Sequence, residues 1–231
     1  MKYFGEGLSE QHKELSKLIR KESEIERAKY LFLDIHARLN LSKISNTKEN
    51  EVDKLFNDLN KYEYSIMPTK KDETIAWVLW HITRIEDLTT NILIAKEDQI
   101  FDQTWQERLN VFISDTGNAL NDDEIMFLSK NINIDELICY RNIVSKNTRK
   151  IIKNLNNKDM KRKVDIDDLK RILDVGGLTN DENSIWLLEF WGKKDVAGII
   201  LMPLTRHIML HLNDCCKWKK IIRSRSKYYR S

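Results

Sequence analysis

Near the C-terminal end, the stretch MPLTRHIMLHLNDCCKWKKII sets His207 and His211 four residues apart in a run with helical periodicity. Residues i and i+4 share one helix face and stand about 6 Å apart along the axis, so two imidazoles so placed can aim at one point. They belong to an otherwise apolar stripe: Ile200, Leu204, His207, His211, Cys215, Trp218 and Ile222. A second stripe, Thr74, Trp77, His81, Ile85, Leu88 and Ile92, carries His81 among similar neighbours. A buried neutral imidazole that finds no partner costs about 1–3 kcal/mol. Two readings meet that cost. Either His81, His207 and His211 share one divalent ion, or each is a separate core histidine bonded to a carbonyl or carboxylate. Three protein ligands on one ion would leave a coordination position open, as catalytic metal sites do.

Other candidates fall away on geometry. Cys215 lies about 9 Å along the axis from the midpoint of the histidine pair, too far for a shared ion, and reads as a small buried apolar residue. Asp214 and Asn213 follow His211 closely and read as outer-shell or solvated groups. Glu86 and Asp87 sit well round the helix from His81 and are expected in solvent. His12 and His36 have mixed surroundings and are read as structural or exposed. Trp186 and Trp191, in SIWLLEFWGKK, are expected in the core or in a cavity wall.

Positioning these residues requires long helices. Ser9 is read as the cap of a first helical region, with a break expected near residues 21–24, after which Ile25, Ala28, Phe32, Ile35 and Leu39 recur at helical spacing. DETIAWVLWHITRIEDLTTNILIAK reads as the second main helix and NIDELICYRNIVSKNTRKIIKNLNN as the third. DIDDLKRILDVGG is a short helix stopped at Gly176-Gly177, and NDENSIWLLEFWGKKD is another, ending at Gly192. Pro203 suits the first turn of a final helix reaching about residue 224, unless that helix starts earlier and kinks there. The expected fold is an all-α, four-helix bundle with extra short helices. It is a single domain over residues 1–231, because no repeat or linker divides the chain.

Composition agrees. Seven Gly and two Pro in 231 residues are few, which favours long helices over strands and turns. The net charge of +3, from 39 basic and 36 acidic residues, argues against a nucleic-acid binder. The tail from about 217 to 231 does carry Lys217, Lys219, Lys220, Arg223, Arg225, Lys227 and Arg230 without an acid, interleaved by Tyr228 and Tyr229. Cations at a helix C-terminus are the simpler account of it. Three cysteines, two of them adjacent, make no disulfide framework and suit a cytoplasmic protein. No apolar run is long enough to span a bilayer, and no leader segment is visible.

TIAWVLWHITRIEDLTTNILI followed far downstream by TRHIMLHLND resembles the DinB-like superfamily, the damage-inducible (YfiT-related) group that includes the bacillithiol transferases. FLDIHARLNLSK and MPTKKDETIAW extend the resemblance over most of the chain. It implies an up-down-down-up bundle with a nickel, zinc or iron ion held by His81, His207 and His211. It also implies thiol-dependent transfer onto a small-molecule substrate, with a low-molecular-weight thiol as cosubstrate. No catalytic base is identified. The alternative is a non-catalytic metal-binding stress protein acting as a homodimer or through a partner. The chain departs from compact members in the distance from His81 to His207, and residues of about 97–132 and 158–193 read as inserts at the pocket mouth.

Overall fold

The computed structural model describes residues 4–70 and 73–225. Among them every regular element is helical, and the one extended pairing is an isolated antiparallel bridge between Lys163 and Asp195. No helix among them is long and apolar enough to cross a membrane.

The central element is Ile75–Asp87, all of whose residues are buried. A helix covered on every side has no solvent face. It packs against both Ile134–Asn154 and His207–Ser224. Its start follows from Thr74, whose hydroxyl accepts the Trp77 amide at 3.0 Å. Beyond Asp87 the chain continues as a wider π-helical stretch, Leu88–Ala95, and stops at Lys96 in a left-handed conformation. Here Thr89 Oγ1 donates back to the Ile85 carbonyl at 2.6 Å and Asn91 Nδ2 to that of Asp87 at 3.1 Å.

The last helical run begins earlier than Pro203. Val196–Leu201 is helical, capped by Asp195, whose Oδ1 accepts the Gly198 amide at 2.8 Å. Met202–Arg206 then forms a π turn, and His207–Ser224 follows without interruption. The physical cause is Pro203, which has no N–H to give and crowds the preceding turn. Thr205 repairs the gap by donating its hydroxyl to the carbonyls of Ile200 (3.0 Å) and Leu201 (2.9 Å).

At the N-terminal end Leu8–Leu18 and Ile25–Arg38 pack on each other across a short 3-10 turn, Glu22–Glu24, at the expected break. The cap is not Ser9. The helix opens at Leu8 behind Gly7, whose φ of 72° no serine adopts cheaply. The short helix Ile166–Asp174 ends as expected, with Gly176 at φ 66°. Two of the tail's cations hold the final helix to residues 54–63. Lys219 donates to the carbonyls of Lys54 (2.8 Å) and Leu55 (2.7 Å) and pairs with Asp58, while Arg223 bridges Asp58 (2.7 Å) and Glu63 (3.0 Å). Lys227, Tyr228, Tyr229 and Arg230 lie outside the described residues.

Candidate metal centre

His81, His207 and His211 converge. One ligand-capable nitrogen from each lies within 4.8 Å of the others. His81 Nε2 and His207 Nε2 are 3.1 Å apart. Two nitrogens at about 2.05 Å from one ion lie about 3.3 Å apart at a tetrahedral angle and about 2.9 Å apart at a right angle, so 3.1 Å fits common ligation as well as it fits an N–H···N hydrogen bond. The rings meet at steep angles, 64° for His81 and His207, 65° for His81 and His211, and 82° for His207 and His211. They stand around a shared point rather than stacking on one another.

His81 is the most constrained of the three. Its Nδ1–H donates to the Thr116 carbonyl at 2.9 Å, which fixes the tautomer and leaves the Nε2 lone pair facing the other histidines. Trp77 stacks on its ring at 4.6 Å and 10°. The Thr116 carbonyl belongs to a strap that the central helix grips with four side chains in successive turns. Arg84 Nε donates to Ser114 O (2.9 Å), Trp80 Nε1 to Asp115 O (3.0 Å), His81 Nδ1 to Thr116 O, and Trp77 Nε1 to Gly117 O (3.0 Å). Positions 77, 80, 81 and 84 are neighbours on one helix surface, which is why four consecutive carbonyls can meet them. Asp115 Oδ1 closes the strap by accepting the Gly117 amide at 2.6 Å.

The electrostatics suit a cation. Burial pushes the His81 pKa down to about 3, with His211 adding to the effect and the Thr116 hydrogen bond opposing it. Burial likewise pushes His207 well below its ordinary value, with His211 and His81 reinforcing it. Both imidazoles are therefore neutral near pH 7 and carry lone pairs. His207 Nδ1 is buried without a hydrogen-bond partner, so no carbonyl or carboxylate holds that side of the ring. The donor set is three imidazole nitrogens and no oxygen. Imidazole suits zinc, nickel, iron or copper, whereas magnesium and calcium take oxygen.

Glu86 and Asp87 are not in solvent. Both are fully buried, because the helix that carries them has no exposed side. His36 Nε2 donates to Glu86 Oε1 at 2.9 Å, and Arg141 lies 3.8 Å from Oε2. Burial alone would raise the Glu86 pKa, but His36 and then Arg141 outweigh it and hold it below the ordinary carboxylate value. Asp87 accepts from Arg84 (3.0 Å), the Tyr140 hydroxyl (2.5 Å) and the amides of Ile100 and Phe101 (2.9 Å each). His36 is thus structural and buried, apart from the three-histidine cluster. His12 donates to the Leu201 carbonyl at 2.8 Å. Cys215 is fully buried, and its pKa is driven well up by that burial, as a thiol in a core position requires. Asp214 pairs with Lys217 at 2.8 Å, and Asn213 Nδ2 donates to the Met209 carbonyl at 2.9 Å. Trp191 is buried and Trp186 is 48% exposed, and both line a cavity against His81 and His207.

No protein-family model matches the chain, and no curated protein is similar enough to count as a relative.

Proposed function

We propose that the chain is a metal-dependent, DinB-like protein in which His81, His207 and His211 hold one divalent ion and activate a thiol toward a small electrophile. The observation that carries the reading is the convergence of nitrogens from two segments far apart in sequence, with 3.1 Å between His81 Nε2 and His207 Nε2. The four-helix bundle belongs to the same reading. Its principal helices would be Ile25–Arg38, the run from Ile75 to Ala95, Ile134–Asn154 and the run from Val196 to Ser224.

A divalent ion bound there supplies Lewis acidity to whatever occupies its remaining position, acidifying a thiol or a water. The choice of thiol rests on the family resemblance, and charge is consistent with it. Three imidazole ligands would bring no negative charge to offset a divalent ion, so an anion would be favoured in the open position. The chain's residues set the geometry. Thr116 holds His81 in the liganding tautomer, Trp77 holds its ring plane, and the turn at Met202–Arg206 sets where His207 begins its helix. In the transfer, the sulfur's electron pair forms a bond to the electrophilic carbon. The bond from that carbon to the leaving group breaks, the leaving group departs with its pair, and the thiol proton goes to solvent.

Metal analysis tests the reading. Wild-type protein loaded with zinc or nickel and dialysed should retain one ion per chain, and His207→Ala should retain far less. A wild-type chain that holds no ion after loading removes the proposal.

A further inference from the structure

A cavity of about 170 Å³ lies against His81 and His207. The helix Glu182–Gly192 contributes Trp186, Leu187, Phe190 and Trp191 to it, and the π turn contributes Met202 and Pro203. Among the described residues no Lys, Arg, Asp or Glu lines it, and apart from the two histidines its polar lining is Asn118, next to the strap. Trp186 is a large apolar side chain left 48% exposed at the rim. It is nonetheless ordered: its Nε1 donates to the Asn183 carbonyl at 3.0 Å, and its ring meets Phe190 edge-on at 5.7 Å and 65°.

We propose, resting on the metal reading above, that this cavity receives the body of the substrate, an uncharged single aromatic ring or an apolar group of like size. The reactive end of that group would point at the three imidazoles. An apolar cavity of about 150 Å³ is large enough for benzene, so 170 Å³ admits one ring with a small substituent. A carboxylate or phosphate inside it would lose its hydration against a wall with no cation to replace it. Charged parts of a substrate or of a thiol therefore stay outside, beyond Trp186. Nothing in the three histidines dictates this selectivity; it comes from the segment 182–203 packed over them.

The test uses the chelator-treated full chain and fluorine NMR with two probes, 4-fluorotoluene and 4-fluorobenzoate. The neutral ring should bind at least about tenfold more tightly than the carboxylate. Met202→Trp, at a half-buried position, should fill the cavity and weaken 4-fluorotoluene by about tenfold or more, and Trp186→Ala, at a half-exposed one, by about threefold or more. Equal binding of the two probes, or 4-fluorotoluene binding unchanged in Trp186→Ala, overturns the proposal. Cobalt(II) uptake on the same preparation reads the metal site separately. Ring binding without cobalt uptake removes the metal reading and keeps the cavity, whereas cobalt uptake without ring binding removes the cavity proposal.

Discussion

Gly117→Ala tests the strap that orients His81, and Gly7→Ala is its matched control. Gly117 has φ +75° and Gly7 has φ +72°, so an alanine at either pays about the same backbone cost, roughly 1–2 kcal/mol. Both also gain the same small offset from a less flexible unfolded chain. Their surroundings differ. A Cβ on Gly7 meets nothing within 4 Å, whereas one on Gly117 would stand 2.9 Å from Trp77 Nε1 and 3.4 Å from Trp80 Cδ1. Those indoles are 6% and 0% exposed and cannot swing aside. The strap must retreat, which breaks the 3.0 Å bond from Trp77 Nε1 to the Gly117 carbonyl and leaves a buried donor unpaired, at a further cost of about 1–3 kcal/mol. Urea denaturation should therefore show Gly117→Ala losing about 1–3 kcal/mol more than Gly7→Ala. The neighbouring Thr116 carbonyl retreats with it, and loss of an outer partner of a ligating histidine typically costs about 10–100-fold in metal affinity. Chelator competition should find that loss in Gly117→Ala and not in Gly7→Ala. Equal stability costs for the two variants would refute the packing argument. A destabilised Gly117→Ala with unchanged metal affinity would refute the orienting role of Thr116.

Three further outcomes follow from the buried groups. His81 and His207 have folded-state pKa values below the ordinary 6.5, so their contribution to stability is complete above that value and is lost as pH falls below it, for His81 down to about 3. The metal-free protein should lose up to about 1.4 kcal/mol per pH unit for each of the two in that window. Urea midpoints measured from pH 7 to 4.5 should fall less steeply for His207→Gln, and an equal slope would contradict the assignment. Glu86→Ala would strand Arg141 and His36 in the core without their acid, and should cost about 3–5 kcal/mol in urea denaturation. A loss below about 1 kcal/mol would mean that this cluster is not paired as described. Thr205→Val removes the hydroxyl that serves the Ile200 and Leu201 carbonyls and should cost about 1–2 kcal/mol, with a weaker grip on metal because His207 starts two residues on. An unchanged denaturation midpoint would contradict that repair.

The long helices and the convergence of three histidines were readable because both are side-chain patterns. Apolar residues at spacings of three and four mark one face, and a polar residue in such a stripe is conspicuous. What a single stripe cannot convey is how many faces of a helix are covered. Glu86 and Asp87 lie off the His81 stripe and look solvated, yet the helix is enclosed on all sides and their partners come from residues 36, 100, 101, 140 and 141. The strap was illegible for a different reason. It acts through main-chain carbonyls, which every residue carries, so only Asp115 and Gly117 in SDTGN hint at a turn. The donors at 77, 80, 81 and 84 were the available signal, because four hydrogen-bonding side chains on one face of an apolar helix need four acceptors. The wide turns have a partial signature. Pro203 marks a disturbance, but whether it starts a helix or widens one depends on Thr205 and on what packs against Val196–Leu201. Cavity selectivity comes from the 182–192 helix and that turn lining one cavity, and neither segment carries it alone.

X-ray absorption on the zinc-loaded chain tests the central claim most directly. The account predicts a nearest shell dominated by nitrogen at about 2.0–2.1 Å with the multiple-scattering pattern of three imidazoles, reduced in His81→Ala. A shell of oxygen or sulfur ligands, or a spectrum that His81→Ala leaves unchanged, would contradict it.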